Sequence, residues 1–81
     1  GSTNVAHEVE LKDEASQVMT LIGQLPAQQR QIMQMRDVED LPYEEIEKAT
    51  GLTSINIRVL LSRARKKIRE QFLAIRNYER L

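Results

Sequence analysis

The sequence of 81 residues has no cysteine, three glycines, two prolines, two tyrosines and one phenylalanine. Without cysteine there is no disulfide, no thiol nucleophile and no thiolate metal site, which fits a reducing compartment and predicts a cytoplasmic location. No apolar run approaches the roughly 18–20 residues that a membrane span needs. Turn-forming and aromatic residues are too scarce for a strand-rich fold, and the remaining composition favours helices.

Residues for active-site chemistry are also few. The single histidine, His7, lies near the N-terminus, and the sequence has no nucleophile–base pair, no phosphate-binding loop and no set of metal ligands. The acidic stretch over residues 37–47 lacks the spacing of a calcium-binding loop. We therefore expect no enzymatic activity, no catalytic or metal-binding residue and no cofactor.

The formal net charge is zero, because 12 basic residues balance 12 acidic ones. Since nucleic-acid-binding domains usually carry a basic excess, the total alone argues against that function. The distribution argues for it: residues 1–50 carry four basic and ten acidic groups, whereas residues 51–81 carry eight basic and two acidic groups. The chain joins an acidic half to a basic half.

Apolar residues at helical spacing predict three helices in the first part of the chain. The first begins near residue 11, is stopped by Gly23 and then Pro26, and has its apolar positions at Leu11, Ala15, Val18, Met19 and Ile22. The second begins at Pro26, and its predicted buried face contains Ile32, Met33 and Met35. The third begins at Pro42, directs Ile46 and Ala49 inward and ends at Gly51. We expect the three methionines to fill the core.

A fourth and longer helix follows, with Thr53 or Ser54 as its N-cap. Its apolar stripe runs through Ile57, Leu61, Ala64, Ile68, Phe72 and Ile75. Because the connections are short, the predicted fold class is all-α: a small four-helix bundle. We expect residues 1–8 to be a tag scar (Gly1-Ser2) and a disordered tail, and residues 9–81 to form the domain.

A short helix, a tight turn with Gly51 and a longer basic helix together predict a helix-turn-helix. Leu52 and Ile57 would fill the wedge between the two helices, and the long C-terminal helix would be the recognition helix that enters a DNA major groove. Six basic residues fall within twelve positions of that helix: Arg58, Arg63, Arg65, Lys66, Lys67 and Arg69. They could contact phosphates on both sides of the groove, or simply form a solvated helix face.

Five short motifs resemble region four of bacterial sigma factors, most closely the extracytoplasmic-function group of alternative sigma factors. They are LPAQQR at residues 25–30, RDVEDL at 36–41, YEEI at 43–46, GLT at 51–53 and LSRARKKIR at 61–69. Their order and separations are specific together, although each motif alone is weak.

The resemblance implies binding of double-stranded promoter DNA at the −35 element, docking on the β flap of the RNA polymerase core, and regulation by an anti-sigma factor as an open possibility. It also implies that the chain is the C-terminal domain of a longer factor. For the acidic stretch two interpretations stay open, a solvated face and a polymerase contact. Carried over by position, the base-reading candidates are Ser54, Asn56, Arg58, Val59, Leu60, Ser62 and Arg63. The basic run described above adds Arg65, Lys66 and Lys67 as DNA-binding residues that could contact phosphates.

The sequence departs from the family pattern at Ile55, Val59 and Leu60, which are apolar. Three interpretations stay open: contact with thymine methyl groups, contact with a protein partner, or packing on residues 11–22. Two other functions also stay open: a protein-interaction module with weak DNA affinity, and a different helix-turn-helix regulator.

Overall fold

A computed structural model describes residues 14–80, with side chains described to residue 78. The predicted tail at residues 1–8, with His7, lies outside this range, as does Leu11. Within it the fold is all-α: α1 over residues 14–23, α2 (Ala27–Met33) continued by a π-helical segment (Gln34–Val38), α3 (Tyr43–Thr50) and α4 (Ser54–Arg80). The predicted helix order and the helix-turn-helix are confirmed. No helix among the described residues is long and apolar enough to cross a membrane.

The two halves of α4 are covered by different helices. At 27 residues, α4 is about 40 Å long at 1.5 Å per residue. In its first half, Leu60 lines a groove with Gln28 of α2, and Arg58 lies over the ring of Tyr43 of α3. Its second half lies beside α1, where Arg76 pairs with Glu14 and Ile75 lines a pocket with Leu21. This arrangement leaves the opposite face of α4 uncovered.

The predicted stripe of α4 forms the centre of the core. Ile57, Leu61, Ala64 and Ile68 are buried, and Phe72 and Ile75 pack against the same cluster. The other buried side chains come from α1, α2, α3 and the α1–α2 turn: Leu21, Ile22, Leu25, Ile32, Met33 and Ile46.

Three predicted core positions are wrong. Ala15 and Met19 are exposed, because α1 is covered on one side only and meets the core through Val18, Leu21 and Ile22. Met19 therefore does not fill the core, unlike the buried Met33 and the partly buried Met35.

Ala49, the third of these positions, is exposed because α3 spans two turns and is covered only on the side of Ile46.

Gly51 ends α3 in the left-handed region at φ 75°, where glycine has no steric penalty. The Thr53 side chain then caps α4, since its Oγ1 accepts a hydrogen bond from the Asn56 N–H at 3.2 Å. Of the two predicted N-cap residues, Thr53 is the one used.

The π-helical segment was not predicted. The Glu39 N–H donates to the Gln34 carbonyl and the Leu41 N–H donates to the Met35 carbonyl, both at 2.9 Å. These wider turns end the second helix and lead into Asp40, whose φ of 57° is tolerated by aspartate. They also place Asp37 next to α4.

Candidate nucleic-acid interface

The helix-turn-helix brace fixes how α4 is presented. Ile46 of α3 and Ile57 of α4 are both fully buried, and Leu52 of the turn packs against the same core. Burying a side chain of this size stabilises the fold by about 1.5–3 kcal/mol. Because these contacts lie on one side of α4, its first turns project their other side into solvent.

The outer face of these first turns is apolar at two positions. Ile55 is 72% exposed and Val59 is 41% exposed. For Ile55 this exposure contradicts the interpretation that it packs on residues 11–22. Leu60 is partly buried and packs against the core, in a groove with Gln28 and Leu52 rather than with α1.

The predicted site residues divide between two grooves, one on each flank of α4. Asn56, Val59, Leu60 and Arg63 line the first, whose volume is about 220 Å³. The second has a volume of about 360 Å³, and its lining residues are Tyr43, Arg58, Leu61, Ser62, Arg65, Lys66 and Arg69. Ser54, partly buried in the first turn, and the exposed Lys67 lie outside both grooves.

A two-point ion pair fixes Arg65 in the second groove. Its Nε donates to Asp37 Oδ2 at 2.9 Å and its Nη2 donates to Asp37 Oδ1 at 2.5 Å. The hydrogen bond from Arg65 lowers the pKa of the Asp37 carboxyl below its usual value, and burial opposes this only in part. The same bond raises the pKa of Arg65. Asp37 is thus not merely part of a solvated acidic surface.

Tyr43 fixes a second arginine of this groove. The guanidinium carbon of Arg58 lies 5.1 Å from the ring centroid, and that of Arg36 lies 4.8 Å from it. Arg36 is itself anchored by a hydrogen bond of 2.9 Å from Nη1 to the Leu41 carbonyl. This contact of Tyr43 with two arginines was not predicted from the sequence.

Sequence reasoning missed these contacts because they join distant positions. Asp37 and Arg65 are 28 residues apart. The only sequence signal was an acidic residue just after a predicted helix, which does not identify its partner. Among the described residues, no three histidine, aspartate or glutamate side chains come together where they could hold a metal ion.

A comparison with known protein families agrees with the helix-turn-helix formed by α3 and α4. A family model described as "Sigma-70, region 4" matches residues 15–68, which is more than half of the chain. Neither the curated proteins nor the solved structures give a match. Domains of the matched family are non-enzymatic, and they bind DNA and contact RNA polymerase in transcription initiation. With its helix-turn-helix and the match over residues 15–68, the chain belongs to the sigma-70 region 4 family.

Proposed function

We propose that this domain binds the −35 promoter element as region four of an extracytoplasmic-function sigma factor, and so directs RNA polymerase to initiate transcription. The observation that carries the proposal is the uncovered outer face of α4. Ile46 and Ile57 are buried in one core cluster on the opposite side, and basic residues line the grooves on both flanks. A cytoplasmic location and docking on the polymerase β flap belong to the same proposal.

The dimensions support insertion of α4 into the major groove. A helix with its side chains is about 10–12 Å across, and the major groove of B-DNA is about 12 Å wide. Residues on the outer face would then meet base edges, with Asn56 suited to adenine and Arg58 or Arg63 suited to guanine. Ser54 and Ser62 would make further hydrogen bonds to the duplex.

The flanks of α4 supply contacts to phosphates. Lys66 and Arg65 lie in the second groove, and Lys67 is exposed beyond the first. Positive charge on both flanks would anchor the helix to the two strands that border the groove. In this arrangement Ile55 and Val59 point at the groove floor, where thymine methyl groups are apolar partners.

A selection experiment followed by a salt titration tests the proposal. Duplexes that bind the chain are enriched from a pool with a randomised central window. The affinity of an enriched duplex is then compared with that of a shuffled duplex of the same composition. We expect at least a 1,000-fold preference and a linear fall of log K with log salt concentration. Failure to enrich any sequence, or equal affinity for both duplexes, contradicts the proposal.

The exposed apolar positions favour a second candidate, a protein-interaction module with weak DNA affinity. Ile55, Val59 and Leu73 are exposed on α4 and lie near one face of it. A partner on this face, such as an anti-sigma factor, would compete with DNA. A double substitution, Ile55→Ser with Val59→Ser, would then abolish partner binding and leave the small DNA affinity unchanged, whereas the main proposal predicts weaker binding to the enriched duplex.

A further inference from the structure

The ion pair between Asp37 and Arg65 leaves half of the guanidinium free. Arginine has five N–H donors. Asp37 accepts from Nε and from one hydrogen of Nη2, so both hydrogens of Nη1 and one of Nη2 stay available. The Arg65 side chain is 48% exposed, whereas the Asp37 side chain is 28% exposed. The free edge of Arg65 can therefore meet a phosphate while the carboxylate holds the other edge.

The carboxylate is held by the backbone of a short, well-anchored segment. The bonds from the Glu39 N–H to the Gln34 carbonyl and from the Leu41 N–H to the Met35 carbonyl both span Asp37, and Arg36 fixes the same segment through the Leu41 carbonyl. Arg65 is thus tied to a second element of the fold. By contrast, Arg63, Lys66 and Lys67 make no hydrogen bond or ion pair with any side chain between residues 14 and 78.

We propose that Asp37 is a specificity-determining positioning residue of the DNA interface. It holds Arg65 where one phosphate of a correctly docked duplex will lie, and it cancels the charge of Arg65 toward duplexes docked in any other position. This inference rests on the proposed function, because it needs a sequence that the domain prefers.

Two opposing effects of the carboxylate lead to that conclusion. In the correct position, a fixed Arg65 needs no ordering when it meets a phosphate, so the repulsion between Asp37 and that phosphate is offset. In other positions, a phosphate cannot reach the fixed edge. It then meets a pair whose charges cancel, so Arg65 contributes no attraction. Removing the carboxylate should therefore strengthen binding to random DNA more than binding to the preferred sequence.

The test compares Asp37→Asn with Asp40→Asn in the full chain. Both substitutions remove one negative charge close together in sequence. Asp40 is 91% exposed, lies 4.0 Å from Arg36 rather than beside Arg65, and has a positive φ that asparagine also tolerates. Each variant is titrated with the enriched and the shuffled duplex over a series of salt concentrations. Arg65→Lys serves as a second variant, because it keeps the charge and loses the two-point pairing.

We expect Asp37→Asn to bind the shuffled duplex about three- to tenfold more tightly at low salt, with a salt slope steeper by about 0.9. The preference for the enriched duplex should fall by the same three- to tenfold in Asp37→Asn. It should also fall in Arg65→Lys. In Asp40→Asn it should stay within twofold of the wild-type preference. Equal behaviour of the two asparagine variants, or an unchanged preference in Asp37→Asn, overturns the inference. If the wild-type chain enriches no sequence, the proposed function itself fails, which is a separate outcome.

Discussion

Ile55 and Ile57 are the same residue type two positions apart on one helix, yet their surroundings are opposite. Ile57 is fully buried between α4 and the rest of the bundle, whereas Ile55 is 72% exposed. A rotation of about 200° around the helix separates them. The inner face of α4 therefore stabilises the fold, and the outer face, which contributes almost nothing to the core, is available for a partner.

The largest expected effect is on the inner face. Ile57→Ala should lower the free energy of unfolding by about 2–5 kcal/mol, because it removes buried methyl groups and leaves a cavity. Ile55→Ala should change it by less than about 0.5 kcal/mol. Urea denaturation followed by circular dichroism measures both. Similar losses in the two variants would contradict the division of α4 into two faces.

The next effect is on binding by the outer face. Arg63→Ala should weaken binding to the enriched duplex by about 1–3 kcal/mol if Arg63 reads a base. Lys48→Ala is the control, since Lys48 is exposed on α3 and its nearest charged partner is Glu45 at 3.8 Å. Fluorescence anisotropy at fixed salt gives both affinities. Unchanged affinity in Arg63→Ala would remove this residue from the interface.

A smaller effect is expected at the turn that decides which face of α4 is inward. Gly51→Ala should lower the unfolding free energy by about 1 kcal/mol, because an alanine at φ 75° is strained even though its Cβ meets open space. Gly23→Ala also meets open space but has no positive φ, so it should be neutral or stabilising. Thermal melts compare the pair, and equal shifts would argue against strain as the cause.

The smallest effect concerns pH. The folded-state pKa of Asp37 is lowered, so its pairing with Arg65 stabilises the fold above the unfolded pKa near 3.9 and is lost as pH falls through the lower folded value. The free energy of unfolding of the wild type should exceed that of Asp37→Asn by less than about 1 kcal/mol at pH 6, because the Arg65 side chain is half exposed. That difference should shrink in urea unfolding below pH 3. A constant difference would show that the ion pair is not its source.

Patterns within one helix were enough to predict much of this fold. The stripe from Ile57 to Ile75 and the stop at Gly51 follow from local spacing and backbone preference, and both are confirmed. Positions on helices covered from one side, such as Met19 and Ala49, were predicted incorrectly. Apolar spacing identifies a face, but it does not say how much of that face a neighbouring helix will cover.

The site was less predictable than the fold. The basic helix, with six basic residues within twelve positions, could be located from the sequence. The contacts of Asp37 with Arg65, and of Tyr43 with Arg36 and Arg58, depend on how the π-helical segment and α3 are placed against α4. No local pattern specifies that placement, because it results from the packing of the whole core.

The absence of cysteine permits the most direct test of the central claim, that the outer face of α4 enters the major groove. Ile55→Cys gives a single attachment point for an iron chelate that cleaves nearby DNA, and Met19→Cys, on the exposed side of α1, gives the control. We predict that the chelate at position 55 cuts both strands within a few base pairs of the enriched sequence, and that the chelate at position 19 does not. Cleavage from position 19 alone, or uniform cleavage along the duplex from position 55, would contradict the account.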